Sequence, residues 1–512
     1  MDAAPTPSDR SRPRRAAATG LALALVGLLS GCPEPDRPVG VPDGDRDRAA
    51  SGDVGIGKNL LFISIDTLRR DAIGAYGSSR GATPAIDVFA ESSVVFDGAW
   101  THTPKTAPAH MSMFTSLPPS AHGVGNLNTT GAGRLSDSIR TLPEVLQDAG
   151  FATGGFTGGG NAKGSLGFDR GFDAFDDTGE PLYEKVRRAE PWIMEAEASG
   201  RPWFCFLHTY HVHDPYFPPP KYMERFVSGD YDGPILATKK AIRDAIEAGD
   251  DLAPDMQGHA KITWNYWFRV REKNPVDLAY LHDLYTAGVA HMDFILGAFL
   301  KRLMDAGIAE DTIIVLTTDH GEEFGEHGQV RHEQLWAELA HVPLMVMLPG
   351  KKYAGTRIAE PVRHLDLLPS LLELLDVEDV PLDQGGTPRL GRSWVEWLAA
   401  GGAQGEPVRS VIGEHRSGRD RPLDVLTIRE GSLLLYDDAG RVDLFDRATD
   451  PLELVPLDRP DEVARLRDLL DRQREQFVAL GATLGRGGAI ELDAAQREQL
   501  EALGYLLDEG DE

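Results

Sequence analysis

Cysteine is scarce: Cys32 and Cys205 are the only two in 512 residues, which excludes a small scaffold stapled by disulfides. Positive charge is also in deficit, with 52 Lys and Arg against 80 Asp and Glu and a formal net charge of −28. Duplex nucleic-acid binding runs on counterion release from clustered Lys and Arg, so no nucleic-acid partner is expected. Apolar runs are short. The amino-terminal run, centred on Leu21 to Leu29 and ending at Pro33, falls below the roughly 20 residues that cross a bilayer. No internal repeat is present. What remains is an ordinary globular composition, 41% hydrophobic and 26% charged, on a chain long enough for a large core.

Arg10, Arg12, Arg14 and Arg15 precede the uncharged stretch Ala16 to Gly31, which closes on Leu29-Ser30-Gly31-Cys32. That is the pattern of an export signal. A short buried helix would not account for the basic flank or for the Pro/Gly/Asp-rich Pro33 to Gly57 that follows. Small residues before a cysteine resemble the lipobox of bacterial lipoproteins. The resemblance implies a signal peptide over 1–32, a lipidated Cys32, a flexible tether over 33–57 and an envelope address reached through export and lipoprotein-processing machinery.

From Asn59 onward, runs rich in Ile, Val, Leu and Phe alternate with amphipathic stretches, which predicts an α/β fold with a mainly parallel sheet covered on both faces. Leu60 to Ile65, Trp203 to Leu207, Ile313 to Thr318 and Leu344 to Leu348 read as strands. Leu142, Val145, Leu146 and Ala149 follow helical spacing up to Gly150, and Asp366 to Asp376 reads as a second helix. The main domain spans 58–400. Over 406–456, short segments such as Leu433 to Tyr436 and Val442 to Phe445, separated by Asp-Asp and Ala-Gly turns, predict a smaller antiparallel sheet. A helical tail with Val463, Leu466, Leu470 and Phe477 on one face occupies 457–512. Lys221 to Asp277 has no clear period and reads as a lid, a substrate wall or a passive insertion. Cys205, inside an apolar strand, reads as a buried free thiol.

Two apolar strands end in chemistry. Phe62-Ile63-Ser64-Ile65 runs into Asp66, and Ile313 to Thr318 runs into Asp319-His320-Gly321. Ligands gather at the carboxyl ends of such strands. An Asp there is often only a helix cap, but two carboxylates and an imidazole together suit one hard or borderline divalent ion, Ca²⁺, Mn²⁺ or Mg²⁺.

A third segment, Lys105-Thr106-Ala107-Pro108-Ala109-His110 with the later Ser120-Ala121-His122-Gly123, resembles the sulfatase signature, in which a Cys or Ser precedes x-Pro-x-Arg. Further landmarks follow in the family's order: Gly167 to Asp173, His211-Val212-His213-Asp214-Pro215-Tyr216, Thr318 to Gly321, Val342-Pro343-Leu344, His364 to Pro369 and Asp443 to Asp446. The similarity covers Asn59 to Pro456 and is to the sulfatase branch of the alkaline-phosphatase-like superfamily. It implies a metal-dependent hydrolase of sulfate or phosphate esters. By that resemblance Asp66, Asp319, His320 and Thr106 hold the ion, and His213 faces the leaving group as general acid or charge stabiliser. His110 joins the catalytic set, while Lys105, His211, Arg331 and His332 are candidates for substrate contact. Small-molecule, glycan or lipid esters are the implied substrates.

The departures are informative. Thr106 stands where sulfatases carry the residue oxidised to formylglycine, His110 replaces the following Arg, and Thr157-Gly158-Gly159-Gly160-Asn161 stands where the family has Gly-Lys-Trp-His. Threonine there is similar to the phosphodiesterase and phosphoglycerol-transferase relatives, so a covalent Thr106 intermediate and a preference for phosphoesters are expected. Transfer to an envelope lipid or glycan, and a binding lipoprotein without turnover, are the alternatives. For the anchor, Cys32→Ala is expected to abolish lipid incorporation, checked by radiolabelled fatty-acid uptake and membrane fractionation; unchanged labelling would refute it.

Overall fold

The computed structural model describes residues 58–127, 133–400, 410–415, 425–490 and 492–503. Cys32, the signal segment and the tether lie outside these residues.

Fourteen strands occur among them: β1 (Asn59–Ile65), β2 (Val94–Trp100), β3 (Ala152–Phe156), β4 (Ala174–Asp176), β5 (Trp203–Thr209), β6 (Thr312–Thr317), β7 (Glu323–Phe324), β8 (Val330–Arg331), β9 (Leu344–Met347), β10 (Arg357–Arg363), β11 (Val411–His415), β12 (Val425–Glu430), β13 (Leu433–Asp438) and β14 (Arg441–Asp446). Eight form one sheet in the order β10-β2-β9-β6-β1-β5-β3-β4. Only β9 runs against its neighbours, pairing antiparallel with both β2 and β6. The rest of the sheet is parallel, as its continuous apolar runs predict.

Every residue of β1, β5 and β6 is buried. Within β1 the two-residue alternation sends Leu61, Ile63 and Ile65 into one core and Leu60 and Phe62 into the other. The long helix Pro275–Asp305 packs its Leu281, Leu284 and Leu296 into the first core; the helix Thr106–Thr115 packs Met111, Met113 and Phe114 into the second.

Strands β11 to β14 form a separate antiparallel sheet in chain order. Its β13–β14 hairpin turns through Ala439 and Gly440, both at positive φ (50° and 95°), the twist a two-residue hairpin loop requires. The tail helix Pro460–Leu484 seats Leu466 and Leu470 on this sheet, with Val463 and Phe477 partly buried beside them. Residues 221–277 carry the helices Lys239–Glu247 and Gly258–Trp267, just after Pro220–Phe226. Each is short: Lys239–Glu247 buries a single side chain, Ile242, and Gly258–Trp267 buries the mixed set Ala260, Thr263, Asn265, Tyr266 and Trp267, so neither shows a long apolar stripe.

Phe206 of β5 anchors the core on the Thr106–Thr115 side: its ring centroid lies 4.9 Å from Phe114, 5.6 Å from Phe62 and 5.8 Å from His110. Phe206→Ala is expected to lower stability by about 3–5 kcal/mol, read from chemical denaturation, because the close-packed aromatic shell cannot collapse into the space.

Candidate active site

Three strand ends converge. β1 leads into Asp66, its parallel neighbour β6 into Thr318-Asp319-His320, and its other neighbour β5 into Tyr210 to Asp214. Thr106 opens a ten-residue helix whose side chains are all buried. Its first turn is capped from another segment, Asn126 Oδ1 accepting the Ala107 N–H at 2.9 Å. His110 lies one turn on, with Nδ1 2.8 Å from the Thr106 carbonyl and Nε2 2.8 Å from Ser64 Oγ. A carbonyl only accepts, so Nδ1 carries the proton and Nε2 receives the serine hydroxyl. Both nitrogens of His110 are therefore engaged within the protein, tying the Thr106 backbone to β1.

Asp66 and Asp319 are fully buried and close enough to perturb one another. Burial, then the charge of Asp319, hold the Asp66 carboxyl well above the usual carboxylate range. Burial acts the same way on Asp319, but His320, His110 and His208 outweigh it and hold that carboxyl below its ordinary value. Two such carboxylates either share a proton or share a cation. Asp66 Oδ1, Asp319 Oδ2, Thr106 Oγ1 and His320 Nε2 are all buried without a hydrogen-bond partner. Ligating atoms of Asp66, Asp319 and His320 lie within 4.8 Å of one another. His320 Nδ1 donates to the Gly321 carbonyl at 2.9 Å, so Nε2 presents a lone pair, and burial lowers the imidazole to about 4, keeping it neutral. Two carboxylates, an imidazole and a hydroxyl fit a divalent cation.

A second cluster of His213, Asp214 and His332 meets the same distance condition, but hydrogen bonding accounts for it. His213 Nδ1 donates to the Asp214 carbonyl at 2.7 Å, and its Nε2 faces His332 Nε2 at 3.3 Å. Lys105 Nζ lies 3.4 Å from His332 Nδ1 and 2.5 Å from Glu333 Oε1. An ammonium only donates, so His332 carries its proton on Nε2 and passes that hydrogen bond to His213. Asp214 Oδ2 accepts from Trp267 Nε1 at 2.8 Å and lies 3.5 Å from Arg331 Nε. Arg331 stands over the Trp264 and Trp267 rings with its backbone at a φ of 75°, unusual for a non-glycine residue. His211 Nε2 lies 3.0 Å from His291 Nδ1. The structure thus brings Lys105, His213, Arg331 and His332 into one group and sets His211 apart, on the wall of an adjoining cavity.

That cavity has a volume of about 390 Å³ and is bounded by Tyr210, His213, Phe217 and Leu284 on the body, and by Ile262 and Thr263 of the 221–277 excursion. The excursion is therefore a wall beside the site. Cys205 is a buried free thiol on β5.

Three residues at this edge escape sequence reasoning. Asn126 and Asn161 are buried, each spending its Oδ1 on a backbone N–H, of Ala107 and Leu127, and each leaving Nδ2 without a partner. Tyr210 accepts the Asn161 N–H at 2.9 Å and packs between the rings of His208 and His213. The glycine run before Asn161 was a signal; Asn126 had none, because only the fold carries it to Thr106. His208 Nε2 lies 3.4 Å from Asp66 Oδ2, behind the candidate ligands.

Fold and site define a class: an α/β enzyme with strand-end carboxylates and an imidazole gathered around a buried hydroxyl at a helix amino terminus. The Sulfatase family profile matches residues 58–377, and the chain belongs to the sulfatase family; it is a hydrolase of sulfuric or phosphoric esters. An arylsulfatase of Clostridium perfringens is 21% identical over 478 residues, 80% of this chain and 92% of that one. An N-acetylglucosamine-6-O-sulfatase of Bacteroides thetaiotaomicron is 22% identical over 495 residues, covering 82% and 86%. Among solved structures, a phosphonate monoester hydrolase of Agrobacterium radiobacter superposes with a TM-score of 0.61 at 20% identity, over 84% of this chain and 96% of that one.

The ligand set makes a prediction that needs no turnover. Divalent ion at a hundredfold excess over its Kd is expected to stabilise the protein by about 2.7 kcal/mol, seen as a rise in Tm. Asp319→Asn, which keeps the Oδ1 acceptor but removes the charge, is expected to lose that rise while folding normally in chelator; an undiminished rise would show that the ion binds elsewhere.

Proposed function

We propose that the protein hydrolyses phosphate esters in preference to sulfate esters through a covalent Thr106 intermediate. The observation that carries this reading is the Thr106 hydroxyl itself, buried and unpartnered beside the two orphaned carboxylates. When bound by Asp66, Asp319, His320 and Thr106, the ion supplies positive charge that lowers the hydroxyl pKa and neutralises the transferring group. Thr106 Oγ attacks phosphorus or sulfur; the new Oγ–P or Oγ–S bond forms as the bond to the leaving oxygen breaks, and the proton lost from Oγ ends, by way of water in the cavity, on the departing alcohol. The amino terminus of the Thr106–Thr115 helix and the Nδ2 donors of Asn126 and Asn161 stabilise the group's oxygens. His213 faces the leaving side and holds the His332 N–H there on its Nε2; redirected to the departing oxygen, that N–H supports a developing alkoxide. Lys105 is neutralised by Glu333, so it acts through His332, and His110 positions Thr106. Arg331 completes the cationic side. Water then attacks phosphorus, releasing phosphate and restoring the hydroxyl.

The phosphoester preference follows from what threonine cannot become. Formylglycine hydrate has a second hydroxyl on the reacting carbon, so its sulfate ester can collapse to an aldehyde; a threonine ester must be cleared by attack on sulfur or phosphorus. A phosphoryl group also presents more charge to the cation. The names of the relatives, among them an N-acetylglucosamine-6-O-sulfatase, favour a glycan or other small-molecule ester as substrate. The arginines before Ala16 and the small residues before Cys32 support an exported, lipid-anchored protein with 33–57 as tether. Among the described residues no helix is long and apolar enough to cross a membrane.

Purified protein supplied with Ca²⁺, Mn²⁺ or Mg²⁺ is expected to cleave aryl phosphate mono- or diesters faster than the matching aryl sulfate. Thr106→Ala is expected to lower kcat at least about a thousandfold, and Thr106→Ser to keep part of it. Faster sulfate cleavage would overturn the preference, and full activity of Thr106→Ala would overturn the covalent mechanism.

A further inference from the structure

The glycine run Gly158-Gly159-Gly160 has a structural occupant. A β-carbon on Gly158 would stand 2.6 Å from Tyr210 Cδ2, one on Gly159 2.6 Å from Gln499 Oε1, and one on Gly160 2.6 Å from Leu503 Cδ1. Gly159 and Gly160 also sit at positive φ, 71° and 55°. The side chains of Tyr210, Gln499 and Leu503 thus lie directly against the bare backbone of this run. Two of the three come from the C-terminal helix Ala494–Ala502 and the residue after it.

That helix is built in. Asp493 caps it, accepting the Gln496 N–H at 2.8 Å while Gln496 Oε1 accepts the Asp493 N–H at 2.9 Å. Thr263 Oγ1 of the 221–277 excursion donates to the Ala502 carbonyl at 3.2 Å, and His259 Nδ1 lies 3.4 Å from Glu498 Oε1. Leu500 is fully buried in the nucleophile-side core. Gln499, Ala502 and Leu503 then line the cavity that His213 also lines. Gln499 Oε1 accepts the Gly160 N–H at 3.3 Å, which leaves Nε2 as the free end of the carboxamide, beside Gly179, and both residues line that cavity.

We propose that this helix is a specificity-determining wall of the leaving-group pocket. Gln499 Nε2 donates to an oxygen of a ring-sized, hydroxyl-bearing alcohol. The cavity of about 390 Å³ accommodates such a ring and leaves a small alkyl group without contacts. The inference rests on the reading that His213 faces the leaving group.

Gly288 supplies an independent probe from another element. It lies on the helix Pro275–Asp305, lines the same cavity, and a β-carbon there meets nothing within 4 Å, so Gly288→Leu adds bulk to the cavity from a position with room for a side chain to start. The measurement is the ratio of kcat/KM for a hexose 6-ester to that for the methyl ester of the same acid. Gln499→Leu is expected to lower the ratio about tenfold, chiefly through KM, as loss of one oriented hydrogen bond does. Gly288→Leu is expected to lower it at least as far by exclusion. Arg497→Ala, on the exposed side of the C-terminal helix, is expected to leave it unchanged. If Gln499→Leu and Gly288→Leu depress both esters equally, or neither moves the ratio, the wall is not a specificity element. A His213→Ala variant separates the two readings: if it does not lose more activity on the alkyl esters than on an activated aryl ester, the leaving-group assignment fails first.

Discussion

The structure turns on the enforced proximity of Asp66 and Asp319. Two carboxylates buried together repel one another and lose hydration, and neither penalty is tolerable without a shared proton or a cation. Everything around them supports the second solution. His320 is held neutral with its Nε2 lone pair exposed to the pair, the Thr106 hydroxyl is left unpartnered at the same point, and His208 and His110 stand behind as further imidazoles. The penalty is met by the fold: three adjacent buried strands deliver these residues to one edge, and the surrounding cores hold them there.

Along the same edge, the carboxamides of Asn126 and Asn161, each with an unpartnered Nδ2, accompany the Thr106–Thr115 helix, while His213, in contact with His332 and through it with Lys105, lines the cavity. The cavity walls come from remote parts of the chain: the 221–277 excursion, the long helix Pro275–Asp305 and the C-terminal helix. A common chemical centre thus sits against walls drawn partly from the β5 end and partly from segments far along the chain, the arrangement by which one fold hosts different specificities.

Much of the centre was legible beforehand because its signals are local. Asp66 and Asp319 each end an apolar strand, and Thr106 opens a buried helix with Pro108 in its first turn; a strand's period and a helix's start are short-range properties. The antiparallel sheet was legible for the same reason, through the Ala439-Gly440 turn. The 221–277 helices were not: both are short, and their buried positions, Ile242 alone in one and Ala260, Thr263, Asn265, Tyr266 and Trp267 in the other, do not form an apolar stripe of several turns. The hydrogen-bond state of His332 was not legible either, because the ammonium of Lys105 that sets it comes from another segment, and the Ser64 hydroxyl on His110 is likewise brought by the fold.

The amino-acid sequence by itself determined the alternating α/β layout, the strand-end carboxylates and the threonine at the start of a buried helix, since these depend on hydrophobic period and on residue identity. Only the tertiary structure decided that Asn126 caps the Thr106–Thr115 helix, that Lys105 pairs with Glu333, and that Gln499 packs against Gly159. Those are contacts between segments 19 to 340 residues apart in order of magnitude, and no local pattern encodes a partner that loop closure must first bring within reach.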